Sequence, residues 1–182
     1  MNNYQNICVF CGSSAGNNPV YKRAANELGK FIGIHKKTLY YGCGSTGLMR
    51  EVAKEAAEYQ ARVIGVIPRF FTDEVVEQES FVEKIHVDTM DERKVIMAKQ
   101  SDVFIALPGG FGTLDELFEV LSLIQLELSD TVVFLLNTNE FYTPLISQLD
   151  KMQEEGFLRK EHLEILNIAN TPEEIFQKLE TL

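Results

Sequence analysis

The chain has 182 residues, 45% of them hydrophobic and 24% charged, with a formal net charge of −10. Those values suit one globular domain over residues 1–182 with a full core. The acidic balance argues against nucleic acid and against an anionic membrane as partners, because both require a basic face.

Apolar strands and amphipathic helices alternate along the chain. Tyr4–Phe10 reads as a strand ending in Cys11-Gly12-Ser13-Ser14, and Tyr21–Ile32 as a helix. Thr38–Tyr41 reads as a short strand into Gly42-Cys43-Gly44-Ser45-Thr46-Gly47, followed by an alanine-rich helix, Leu48–Tyr59. Arg62–Ile67 is a strand closed by Pro68, and Arg69–Ser80 is a long polar loop. Val82–Val87 alternates as a strand would, and Met90–Gln100 is helical. The strand Asp102–Leu107 leads through Pro108-Gly109-Gly110-Phe111-Gly112-Thr113 into an apolar-periodic helical segment, Leu117–Leu126. Val132–Leu136 is a strand, Phe141–Glu155 a helix, Leu163–Ile168 a short strand, and a last helix starts at Pro172.

Near-continuous Val, Ile, Phe and Leu in the strands implies burial on both faces. The expected fold class is therefore α/β: a Rossmann-like, doubly wound, mainly parallel sheet with helices on both faces. In such folds ligands sit beyond the carboxyl ends of the strands. The small-residue loops at Gly12–Ser14, Gly42–Gly47 and Gly109–Gly112 stand at three such ends. No apolar run reaches the ~20 residues needed to cross a bilayer. Met1-Asn2-Asn3-Tyr4 lacks the basic start and long apolar stretch of a signal peptide, so a cytoplasmic location is expected.

Cys8, Cys11 and Cys43 lack the spacing of a metal site and read as free thiols, and no metal or cofactor is expected. His35, His86 and His162 stand in unrelated contexts, so no nucleophilic triad can be built on them.

The stretch from Pro108 to Glu116 carries the strongest chemical signal. A strand passing through glycines into a helix presents bare N–H groups to phosphate, and an acid, Glu116, stands in what reads as the same first helical turn. The same letters, Thr113-Leu114-Asp115-Glu116, also spell a capping box, with Thr113 as the cap and Glu116 as its reciprocal partner. Asp115 and Glu116 diverge by about 100° on a helix, so only one can face a crevice. The stripe of Leu114, Leu117, Phe118 and Leu121 favours Glu116. Met90-Asp91-Glu92-Arg93-Lys94 opens the preceding helix. Arg93 offers a planar fork for phosphate or carboxylate and Lys94 a point charge; the competing reading is a solvated helix face. Gly42, Gly44 and Gly47 match a dinucleotide spacing after the wrong strand and without an acid after the next one, which argues against NAD.

Pro-Gly-Gly-x-Gly-Thr-x-x-Glu at 108–116 together with Met-x-x-Arg-Lys at 90–94 resembles the Lonely Guy family, the cytokinin riboside 5′-monophosphate phosphoribohydrolases. Cys11–Ser14, Gly47-Leu48-Met49, Gly65–Pro68 and Glu155-Gly156-Phe157 resemble further landmarks of that family in the same order. The resemblance implies hydrolysis of the N-glycosidic bond of a purine, or N6-modified adenine, nucleoside 5′-monophosphate such as AMP, giving free base and ribose 5-phosphate. It implies Arg93 and Glu116 as the catalytic pair. It implies substrate binding by Glu74, Arg93, Lys94, Gly109, Gly110, Phe111, Gly112, Thr113, Leu114, Asp115, Glu116 and Ser122, and a homodimer. Cys43 and Arg50 stand where members generally have glycine, so Arg50 adds a phosphate contact or narrows the pocket. A lysine decarboxylase label also attaches to such sequences, but it requires a Schiff-base lysine for pyridoxal phosphate, and Lys94 beside Arg93 has no visible partner for that role. The alternative is a non-catalytic carrier of a nucleotide or cofactor, of the molybdenum cofactor carrier type, in which Glu116 is only a helix cap.

Overall fold

The computed structural model describes residues 4–71 and 79–182. The strands β1 (Asn6–Phe10), β2 (Thr38–Tyr41), β3 (Arg62–Pro68), β4 (Glu83–Val87), β5 (Val103–Ala106), β6 (Val132–Leu136) and β7 (Leu166–Ala169) form one sheet in the order β4-β3-β2-β1-β5-β6-β7. Every pairing is parallel, so the expectation of a mainly parallel sheet holds and is exceeded. The helices described are α1 (Pro19–Ile34), α2 (Gly47–Glu58), α3 (Met90–Gln100), α4 (Phe111–Gln125), α5 (Thr143–Glu154), α6 (Lys160–Leu163) and α7 (Pro172–Thr181), with a 3-10 turn at Thr138–Glu140. None is long and apolar enough to cross a membrane.

The central strands explain this order. Ile7, Cys8, Val9, Val103, Phe104 and Ile105 are each at most 1% exposed, which requires cover on both faces. Ile7, Val9 and Ile105 pack with Leu28, Val52 and Ile175 of α1, α2 and α7 on one side. Cys8 and Phe104 pack with Met97, Leu117 and Leu149 of α3, α4 and α5 on the other. The chain runs outward from β1 to β4, then returns to start β5 on the opposite flank of β1. The loops after β1 and β5 therefore diverge, and the crevice between them is the switch point where ligands of such folds bind.

Some boundaries differ from the sequence reading. The segment expected as a helix over Phe141–Glu155 is interrupted: Asn137 Oδ1 accepts the Tyr142 N–H at 2.7 Å, and α5 starts only at Thr143. The last strand is shifted to Leu166–Ala169 behind the short α6, while β1 starts at Asn6 rather than Tyr4.

Backbone contacts bind the three small-residue loops into one rim. The Gly12 N–H donates to Pro108 O at 3.1 Å, and the Leu48 N–H donates to Gly12 O at 3.0 Å. Thr46 Oγ1 donates to Ser13 O at 2.9 Å. Gly47 has φ of +61°, and a Cβ there would run into the backbone of Ser13, so this turn needs glycine for its conformation and for its space.

Candidate active site

The rim surrounds a cleft of about 280 Å³ lined by Cys11–Ser13, Gly42, Met49, Arg93, Gly110–Thr113 and Glu116. Its floor on one side is the start of α4. Gly110 is the N-cap with extended backbone, and no side chain caps the helix. The first N–H groups of α4, from Phe111 to Thr113, have no carbonyl a turn earlier to accept them. Phe111 is 94% exposed, so the entrance is open. A Cβ at Gly109 would overlap Thr113 Oγ1, which explains why the chain turns on glycine there.

The helix thus begins earlier than the capping-box reading requires. Thr113 lies inside the first turn and Glu116 in the second, so Glu116 neither caps the helix nor stands in the first turn as the sequence suggested. The boxes that do form lie elsewhere. Thr89 Oγ1 accepts the Glu92 N–H at 3.1 Å while Glu92 accepts the Asp88 N–H at 2.8 Å. Thr171 and Glu174 repeat this arrangement at the start of α7.

The Thr89–Glu92 box sets the rotation of α3. Glu92 turns outward to close the box, and Arg93 turns inward, against the solvated-face reading. Arg93 is 9% exposed, and its Nε donates to Val66 O at 3.2 Å. Its Nη1 stands 3.1 Å from Glu116 Oε1, with both side chains nearly buried. This contact joins opposite charges but lacks hydrogen-bond direction, so Oε1 is buried with no donor aimed at it. Burial raises the Glu116 carboxyl above its ordinary value, and the Arg93 charge opposes that rise. The site therefore holds a fixed guanidinium beside a desolvated carboxylate with spare acceptor capacity.

The other expected contacts are placed differently. Lys94 does not face the cleft with Arg93; its Nζ is held by Asp115 at 2.7 Å and Glu119 at 2.8 Å. Those carboxylates push the Lys94 ammonium above its usual range, a state opposite to the neutral amine that Schiff-base chemistry requires. Leu114 is half-buried and Asp115 faces outward toward Lys94. Ser122 is exposed and donates to Phe118 O at 2.7 Å, outside the Arg93–Glu116 group. Glu74 lies outside the described residues. The Arg50 side chain is engaged elsewhere: its Nε donates to Glu79 Oε1 at 2.9 Å, so neither the phosphate role nor the narrowing role expected of it is seen. Burial raises the thiols of Cys8 and Cys11, consistent with inert free cysteines.

Two features escaped the sequence reading. Gly42 makes room for Arg93, because a Cβ there would overlap Nη2. A second cleft of about 540 Å³ adjoins the first along Ser13, Gly42, Met49 and Arg93, and its far wall is Ile67, Phe70, Phe71 and Met90. The Phe70-Phe71 dipeptide was the available signal, an aromatic pair inside an otherwise polar loop.

Comparison with known proteins identifies relatives of this chain. Residues 49–179 match a family model described as "Possible lysine decarboxylase". A probable cytokinin riboside 5′-monophosphate phosphoribohydrolase of Oryza sativa subsp. japonica is 46% identical over 97% of this chain and 72% of its own length. A cytokinin riboside 5′-monophosphate phosphoribohydrolase of Arabidopsis thaliana is 42% identical over 97% of this chain and 78% of its own. Among solved structures, the molybdenum cofactor carrier protein of Chlamydomonas reinhardtii superposes with a TM-score of 0.73 at 24% identity, covering 98% of this chain and 97% of its own, a likeness of fold. With relatives of this identity spanning nearly all of its length, the chain belongs to the Lonely Guy family, the cytokinin riboside 5′-monophosphate phosphoribohydrolases.

Proposed function

We propose that the chain, acting as one nucleotide-binding domain over residues 1–182, hydrolyses the N-glycosidic bond of purine nucleoside 5′-monophosphates, AMP or N6-modified AMP, to free base and ribose 5-phosphate. The observation that carries this reading is the Arg93–Glu116 pair, 3.1 Å apart, on the wall of a cleft that ends on the uncapped N-terminus of α4. The names of the curated relatives support it.

The phosphate sits on the N–H groups at Gly110–Thr113, where the helix dipole also favours an anion. That anchor fixes the ribose with C1′ beside Glu116. Breaking the bond builds positive charge on the sugar ring, and a carboxylate held in a dry wall stabilises it strongly. Glu116 takes a proton from water as the water oxygen bonds to C1′, and the base leaves with the bonding pair and takes up a proton from solvent. Arg93 stays protonated, so it positions and stabilises rather than donating a proton. Glu74 and Leu114 complete the proposed set of substrate contacts, whereas Lys94, Asp115 and Ser122 do not line this cleft. The reading includes a cytoplasmic homodimer; exposed Val95, Leu126 and Leu128 offer apolar surface for a second copy.

The fold shared with molybdenum cofactor carriers supports one rival, a carrier that binds without turnover. Incubation with AMP and with N6-prenylated AMP, followed by chromatography, decides between them. Free base and ribose 5-phosphate are expected; tight binding without base release would establish the carrier.

A further inference from the structure

Phe70 and Phe71 follow directly on β3 and are 58% and 55% exposed. Their ring centroids are 4.9 Å apart. Backbone contacts hold this pair in place. The Phe71 N–H donates to Pro68 O at 2.9 Å, closing a turn, and the Arg69 N–H donates to Val87 O at 2.8 Å, extending the β3–β4 ladder. Arg69 also pairs with Asp88 at 3.2 Å. Two large rings are thus held in open view at the carboxyl end of β3.

With Ile67 and Met90 they form the far wall of the 540 Å³ cleft, which Met49 and the strip Gly42–Thr46 also line. Arg93 is the one charged side chain among the lining residues described. Such a surface recognises a flat, uncharged, aromatic group. The cleft is continuous with the proposed reaction cleft through Ser13, Gly42, Met49 and Arg93. If phosphate rests on α4 and C1′ lies against the Arg93–Glu116 pair, the group attached to C1′ extends past Arg93 toward the two rings.

We propose that Phe70 and Phe71, whose ring planes are tilted by 45°, form an aromatic corner for the substrate's base and set a preference for purine over pyrimidine, a two-ring base stacking on one side chain while its far ring reaches the other, which a single ring does not. This rests on the phosphoribohydrolase reading for the placement of phosphate and sugar.

The chain contains no tryptophan, so Phe71→Trp introduces a sole indole reporter. AMP is expected to quench its emission, and ribose 5-phosphate, which carries the phosphate and sugar but no base, is expected to leave it unchanged. In the Phe70→Ala, Phe71→Ala double variant the AMP dissociation constant should rise about tenfold or more, the range expected for a lost base–aromatic stack. Ribose 5-phosphate affinity should stay within twofold, and the preference for AMP over CMP should collapse. Phe70→Tyr, Phe71→Tyr should retain the unaltered values. An unquenched indole, quenching by ribose 5-phosphate alone, or equal loss of both ligands would overturn the proposal. So would conversion of a dimer to a monomer by the double variant, which would assign the pair to a subunit contact. Base release by the unaltered protein is scored separately. Stacking without release overturns the hydrolase reading and keeps the aromatic corner; release with no effect of the double variant does the reverse; no AMP binding overturns both.

Discussion

The backbone of Gly42, at the end of β2, lies against the guanidinium of Arg93, so that a Cβ at position 42 would overlap Nη2. A glycine in the cleft wall thereby sets the position of the guanidinium that pairs with Glu116. Gly42→Ala should displace Arg93 and lower turnover on AMP by about tenfold or more, because small misplacements at a reacting centre are costly. It should also cost roughly 1–3 kcal/mol of stability by overpacking. Steady-state kinetics and a melt check this together; unchanged turnover in a folded variant would separate position 42 from catalysis.

Glu116→Gln keeps the shape of the side chain and removes the charge. Nucleotide binding should survive, while base release falls roughly a hundredfold to ten-thousandfold, the range for loss of a general base. Arg93→Ala should weaken both binding and turnover, since the guanidinium supports the cleft before and during reaction. Rapid base release by Glu116→Gln would remove that residue from the chemistry.

The raised Glu116 carboxyl has a signature in pH. Activity needs the ionised form, so the acid limb of kcat/KM should lie above the ordinary carboxyl value of 4.5. The folded protein holds this proton more tightly than the unfolded chain does. The contribution to stability is therefore full below the ordinary value and is lost as pH rises through the raised one. Glu116→Gln lacks this loss, so its Tm relative to the unaltered protein should climb across that window. Melts over a pH series would show the trend, and a constant difference would contradict it.

Arg50 faces Glu79, whose side chain is 11% exposed, rather than the cleft. Arg50→Ala should leave ribose 5-phosphate affinity within twofold and lower stability by about 0.5–1 kcal/mol, a modest value because Arg50 is itself 42% exposed. Calorimetric titration and a denaturant melt test the two halves. A tenfold loss of phosphate affinity would restore Arg50 to the rim.

Much of this protein is determined by local chemistry that the sequence carries openly. Alternating strands and helices, with Val, Ile and Phe runs such as Val103–Ala106, specify a parallel sheet because only two-sided cover can bury them. Pro108-Gly109-Gly110 specifies a turn into a helix with free N–H groups, and a Cβ at Gly109 would overlap Thr113 Oγ1. The role of each charge is another matter. Thr-x-x-Glu occurs at 89–92, 113–116 and 171–174; it closes a capping box at the first and last, but at the middle site the helix has already begun at Phe111. The letters are the same, and the point of entry into the helix, set by how the β1 and β5 loops pack, decides between a cap and a buried carboxylate. Tertiary packing likewise turned Arg93 inward over Val66 and left Lys94 to Asp115 and Glu119. Neighbouring residues on a helix differ by about 100° in direction, and only the partner surface determines which of them meets the cleft.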